Sequence, residues 1–359
     1  MINLKFEELA KYRQQNGHIN LNHLITDYID VEREVRGNEK RDKDWFNITD
    51  GRVMFKANTE EQFYAQYSEL ICCTLAKQVG LETATYDFAE YKGQKGVITK
   101  HICKPGEELL TINDLIGNGP TNPDFPDNVD IYYIFEKLEE KLEFAGYDEM
   151  NIDKCMLDLR KQLLFDIYVM ETDRHTENLS FIIGKDEKEG KPTIRLAPMY
   201  DTEQALVLSD NKEYMKKVWS SMVVTASATN MQEPKICVIP ETETEEKIQN
   251  EELGSAFSLL AKLKTQVNEG NYYTTTSEEI WKTTLDFLCE DRRALEFVEN
   301  KLSKMNIKEA INQLENEKNC QLPDEVKNMA EACFEDRKSA IAFEMGLDIV
   351  YNKEEKELT

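Results

Sequence analysis

The chain has 359 residues, 40% hydrophobic and 9% aromatic, a composition that suits a globular protein and excludes wholesale disorder. Its net charge of −25 argues against a nucleic-acid backbone as ligand, because such binding draws its affinity from Lys and Arg. Any anionic ligand needs a local basic pocket that works against the overall field.

The N-terminal "MINLKFEELAKYRQ" is helix-like and carries charges where a signal peptide needs an apolar core. No stretch has the length of a transmembrane helix, and the chain reads as a soluble cytoplasmic protein. "HINLNHLITDYIDVERE" suits a strand or a helix, and "GRVMFKAN" (51–58) reads as a short strand. "EEQFYAQYSELICCTLAKQV" has helical apolar spacing and stops at Gly80, a residue type that favours helix C-caps. "ATYDFAEYKGQKGVITKHI" predicts a hairpin closed by a "KGQKG" turn, followed by a Pro-, Gly- and Asn-rich connector with one short helix. Two helices follow, "IYYIFEKLEEKLEFAG" and the more apolar "IDKCMLDLRKQLLFDIYVMET". "NLSFIIG" and "TIRLAPMYD" form a second hairpin around "KDEKEGKP". Residues 207–277 read as a long mixed insertion, and helical spacing returns from Glu278 to Tyr351. The eight cysteines, none in CxxC spacing, read as buried thiols in a reducing compartment.

This order predicts an α+β fold of two lobes with a cleft between them. The boundaries are a small β-rich N-lobe over 1–103 and a larger, mainly α C-lobe over 104–359.

Four features fall in a telling order. Lys56 lies on a predicted strand, and Glu69 lies thirteen residues later on the next helix. In "ETDRHTENLSF", Asp173 is followed by Asn178 after four residues, and Asp201 closes the second hairpin. Each has an ordinary reading: surface Lys and Glu are usually solvated, and Asp and Asn form turns. Together they suit phosphoryl transfer, where the protein positions reactants and neutralises phosphate charge. The Asp-x₄-Asn spacing matches that of a kinase catalytic loop.

"TDRHTEN" with "LAPMYD" resembles the HipA-like serine/threonine kinases, bacterial proteins with an atypical protein-kinase-like fold. The resemblance spans roughly 35–206, including "GRVMFKAN", "YSELICCTLAKQVGL" and "LLFDIYVME". It implies ATP and Mg²⁺ as cofactors and a protein Ser or Thr hydroxyl as acceptor. By position, Asp173 is the acid/base candidate, and Asn178 and Asp201 are the Mg²⁺ ligands. Lys56 holds the α/β-phosphates with Glu69 as its ion-pair partner. His175 either hydrogen-bonds the γ-phosphate or fixes the loop, with the first preferred. Arg174 reaches phosphate or pairs with an acidic neighbour. Backbone groups of Lys100, His101 and Ile102 are the hinge contacts for adenine. "EVRGNEKRDKDWF" is either the phosphate loop, with Gly37 allowing close approach and Lys40 or Lys43 adding charge, or a solvated turn. Only about 35 residues precede this loop, fewer than in the HipA toxin, which puts toxin–antitoxin behaviour in doubt.

The partners expected are a protein substrate and a regulatory protein, with no direct nucleic-acid or membrane binding. Two other readings stay open: a kinase of a lipid or small alcohol, and a silent pseudokinase that binds a basic partner.

Overall fold

The computed structural model describes residues 2–24, 32–34, 43–58, 64–116, 131–171, 174, 176–186, 190–208 and 284–347. Six strands, β1 (Ile19–Asn20), β2 (Glu32–Glu34), β3 (Lys43–Ile48), β4 (Gly51–Ala57), β5 (Tyr86–Tyr91) and β6 (Gln94–Lys100), form one sheet. Its order is β1-β5-β6-β4-β3-β2, antiparallel except at the β1–β5 pair. The β5–β6 hairpin closes on Lys92 and Gly93 alone, both at positive φ (51° and 77°), so the strand absorbs Gln94 to Gly96 of the longer predicted turn. Two central residues at positive φ suit the right-handed twist of the flanking strands.

Alternation along the strands divides the sheet into two buried faces. One carries Phe46, Val53, Phe55, Tyr91 and Ile98 and is covered by Ile2, Phe6, Leu9, Ile19 and Leu21 of the N-terminal segment. The helix-like opening of the sequence is a 3₁₀ helix there, Phe6–Tyr12. The other face carries Phe88 and Val97 and packs against α1 (Ala65–Val79), which ends at Gly80 in the left-handed conformation, as its sequence predicts.

The helical part contains α2 (Ile112–Ile116), α3 (Ile131–Phe144), α4 (Glu149–Tyr168), α5 (Arg292–Asn300), α6 (Ile307–Lys318) and α7 (Asp324–Glu344). The second hairpin is β8 (Ser180–Lys185) and β9 (Pro192–Leu196). The connector hides a strand that the sequence does not announce: β7 (Glu108–Thr111) adds to β8 and makes a three-stranded sheet. Its run "ELLT" is too short and too exposed to show alternation.

α1 is buried almost throughout, with the sheet and α6 both packed against it. Its Gln78 Nε2 donates to the Asn306 carbonyl at 3.0 Å, and the Asn306 amide donates to Gln78 Oε1 at 3.0 Å. Asp87 on β5 accepts Arg13 from the N-terminal segment at 2.7 Å and Lys318 from α6 at 3.1 Å. The helix that carries Glu69 is thus clamped by the C-terminal helices.

Cys72, Cys73, Cys155 and Cys333 are buried thiols, and Cys103, Cys289 and Cys320 are half-buried. Cys237 lies outside the described residues, as does the predicted insertion except for Val207 and Leu208. Among the described residues no helix is long and apolar enough to cross a membrane.

Candidate active site

Lys56 leaves β4 toward α1 and is only 6% exposed. A buried ammonium needs counter-charge, and three carboxylates supply it. Glu69 Oε1 lies 3.4 Å from Lys56 Nζ and Asp201 Oδ1 lies at 2.6 Å, while Glu203 makes a still closer ion pair. Sequence reasoning anticipates Glu69 as the partner; the nearer ones come from the segment after β9.

That segment reaches the sheet through a specific join. The Met199 amide donates to the Glu82 carbonyl and the Ala84 amide to the Met199 carbonyl, both at 2.8 Å, just before β5. Two residues later the Asp201 amide donates to the Tyr86 hydroxyl at 3.2 Å. Asp201 adopts a left-handed conformation (φ 56°), uncommon for a non-glycine residue and frequent where backbone strain serves a site. Burial pushes the Asp201 carboxyl up, but the Lys56 ammonium outweighs it and the net shift is downward.

A cleft of about 180 Å³ opens beneath the sheet, lined by Lys43, Trp45, Met54, Lys56, Tyr86, Tyr200 and Asp201. Lys43 pairs across the hairpin with Lys56, and Trp45 with Met54. The cleft therefore has a cationic end and, one pleat along, an apolar end. Arg52 stacks over the Trp45 indole at 4.9 Å and His101 flanks it at 5.7 Å, fixing that end. Trp45 and Glu203 are absent from the sequence-derived set.

Gly96 on β6 faces Ala57 on β4, and a methyl group there would overlap the Lys56 carbonyl oxygen. Gly96→Ala is expected to part the two strands at Lys56, lowering stability by about 1–3 kcal/mol and weakening nucleotide binding. Thermal unfolding beside a nucleotide titration checks both; an unchanged titration would mean that β4 yields without moving Lys56.

Asp173, His175 and Gly37 lie outside the described residues. The residue between the first two, Arg174, is fully buried and acts as a pin. Its Nε and Nη2 donate to Asp166 of α4 at 2.9 and 3.1 Å, and its Nη1 donates to the carbonyls of Asn178 (3.0 Å) and Tyr200 (2.8 Å). Burial pulls the guanidinium down, but Asp166 and Glu171 outweigh it and the net shift is upward, so it is a fixed cation. Of the two readings of Arg174, the acidic partner is the one observed. The pin ties Asn178, itself buried, to the residue preceding Asp201.

The hinge residues lie where β6 ends. The Lys100 amide donates to the Thr85 carbonyl at 3.3 Å and the His101 amide to the Arg52 carbonyl at 2.8 Å. Both are used within the lobe, whereas the Ile102 amide makes no hydrogen bond to a described residue. The Lys100 ammonium pairs with Asp50.

The donor set suits both groups expected of a kinase. Ligand oxygens of Glu69, Asp201 and Glu203 lie within 4.8 Å of one another, and oxygen donors of this kind suit Mg²⁺. Lys43 and Lys56 offer positive charge to phosphate at the same end of the cleft.

A family model described as the HipA-like C-terminal domain matches residues 40–269. Among solved structures, the Helicobacter pylori proinflammatory kinase CtkA aligns with 89% of this chain and 98% of its own at 14% identity and a TM-score of 0.54. HipA of Shewanella oneidensis MR-1, solved with HipB and operator DNA, aligns with 90% of this chain and 68% of its own, also at 14% identity. Its TM-score of 0.41 is too loose to bear on function. No curated protein matches the chain in sequence. The family match extends past the stretch on which the sequence resemblance rests and covers well over half the chain. With a β-sheet lobe joined to a helical one and a lysine–carboxylate cluster in the cleft between, the chain belongs to the HipA-like C-terminal domain family and has a kinase-like fold.

Proposed function

We propose that this kinase-like phosphotransferase moves the γ-phosphoryl group of ATP, with Mg²⁺, to Ser or Thr hydroxyls of a protein substrate. The observation that carries the reading is the convergence on Lys56 of Glu69 from α1 and Asp201 from the end of the second hairpin. Family membership supports it.

In this reading Lys56 holds the α/β-phosphates and Glu69 steadies it. Asn178 and Asp201 hold Mg²⁺, which when bound neutralises the developing phosphate charge. Asp173 takes or orients the proton of the acceptor hydroxyl as its oxygen bonds to the γ-phosphorus and the β–γ bridge breaks, releasing ADP. His175 donates to the γ-phosphoryl oxygens. Gly37, between β2 and β3, lets the backbone approach the phosphates. The Ile102 amide and neighbouring carbonyls of Lys100 and His101 meet the base, with Trp45 and Met54 above it.

The test is incubation of the full chain with γ-labelled ATP and a basic acceptor protein, with Mg²⁺ or with chelator. Label on acceptor Ser or Thr is expected, and it is lost with chelator and in Asp173→Ala. Label appearing on an inositol lipid or small alcohol, and not on protein, moves the reading to the second acceptor class. MgATP binding with no transfer to any acceptor supports the silent scaffold.

A further inference from the structure

We propose that Glu203 makes nucleotide capture depend on a divalent cation; the proposal rests on the phosphotransferase reading above. Glu203 and Asp201 both grip Lys56 more closely than Glu69 does. Lys56 is therefore engaged by the segment after β9 rather than held ready on α1 alone.

Glu203 has little freedom to withdraw. Its side chain is 12% exposed, and the backbone on either side is pinned. The Asp201 amide bonds the Tyr86 hydroxyl, Ser68 Oγ of α1 donates to the Ala205 carbonyl at 2.9 Å, and the Leu206 amide donates to Val169 at 2.7 Å. Asp201 and Leu206 both sit at positive φ (56° and 61°), so the turn between them has a defined shape. When a phosphate chain enters, Glu203 is still there.

Its charge then acts in two ways. Oxygens of Glu69, Asp201 and Glu203 crowd within 4.8 Å, a grouping stabilised by the Lys56 ammonium in its midst. A bare nucleotide that draws Lys56 toward its phosphates uncovers the carboxylates and is itself repelled by them. Lys43 across the hairpin offsets only part of this, because it and Lys56 face three carboxylates and the nearby Arg174 is already paired with Asp166. A divalent cation arriving with the nucleotide replaces the charge that Lys56 gives up. Metal and nucleotide thus favour each other's binding, and Glu203 enlarges that coupling.

The experiment is calorimetric titration of the full chain with ADP, in chelator and in Mg²⁺, for wild type, Glu203→Gln and Glu203→Asp, with unfolding midpoints confirming that each is folded. Glu203→Gln is expected to tighten metal-free ADP about tenfold and to change Mg²⁺–ADP binding much less, so the coupling shrinks. Glu203→Asp keeps the charge and is expected to keep the wild-type coupling. The proposal is overturned if Glu203→Gln binds metal-free ADP no tighter than wild type, or if the Asp variant shifts as far as the Gln variant. Wild type binding ADP in neither condition would overturn the phosphotransferase reading and this proposal with it; normal binding with unchanged coupling removes only the role of Glu203.

Discussion

Lys56→Met is expected to lower phosphoryl transfer at saturating MgATP by about 10²–10³-fold, the cost of losing one preorganised group that stabilises transition-state charge. The ammonium is buried, faces the cleft and is held by carboxylates from two separate elements. The same substitution leaves Glu69, Asp201 and Glu203 crowded without their cation, and the unfolding midpoint should fall as well. Adding Glu203→Gln to Lys56→Met removes one of the crowded charges, so stability should recover in part while the transfer rate stays low. Label-transfer rates and thermal unfolding, measured on both variants, separate the two effects. A Lys56→Met protein retaining more than about a third of the rate, against the loss expected for such a group, would mark the lysine as structural only. Lys56→Arg keeps the charge but brings a planar, bulkier donor into a buried position, and little rescue is expected.

How far this site is legible in the sequence depends on whether a residue's role is local. Lys56 and Glu69 can be read because each belongs to an element with clear periodicity, a short apolar strand and a helix stopped by Gly80. Asp201 can be read because "APMYD" ends a hairpin whose strands are evident from "SFIIG" and "TIRL". Glu203, two residues further on, carries no local signal, since an acidic residue after a strand is ordinary. Its meaning comes from the Met199 join, which brings the segment under β4, and no periodicity encodes that contact. Trp45 has the same history: its alternation with buried Asp44 and Phe46 places it on a face, but only strand pairing shows that this face meets Met54 and the cleft. β7 was hidden by length and exposure, and its pairing with β8 is long-range. The Asp166–Arg174 pair had a faint signal, a lone aspartate within the apolar run "LLFDIYVME". An ionisable residue in such a run asks for a partner, and the nearby arginine of "TDRHTEN" is the one it finds.

That pair also carries the largest expected effect on stability. Arg174→Met removes a guanidinium that is fully buried and leaves Asp166, equally buried, without it. Breaking one side of a buried pair costs about 3–5 kcal/mol, because the remaining charge is not resolvated. For a chain of this size that corresponds to a fall of roughly 5 °C in the unfolding midpoint, given about 2 cal/mol/K of unfolding entropy per residue. Burial already holds the Asp166 carboxyl above its ordinary value with Arg174 present, so without the guanidinium it takes up a proton more readily. Replacing both members, Asp166→Leu with Arg174→Met, removes the stranded charge and should restore most of the stability. Activity should not return with it. Arg174 also donates to the carbonyls of Asn178 and Tyr200, the first belonging to one candidate Mg²⁺ ligand and the second preceding the other, and no apolar side chain makes those bonds. The double variant is therefore expected to unfold near the wild-type temperature while binding Mg²⁺–nucleotide weakly and transferring label slowly. Recovery of both stability and activity would reduce Arg174 to a core ion pair; recovery of neither would mean that the pocket cannot repack around Leu and Met. Stability regained with activity still lost identifies the guanidinium as the group that holds the two ligand-bearing segments together.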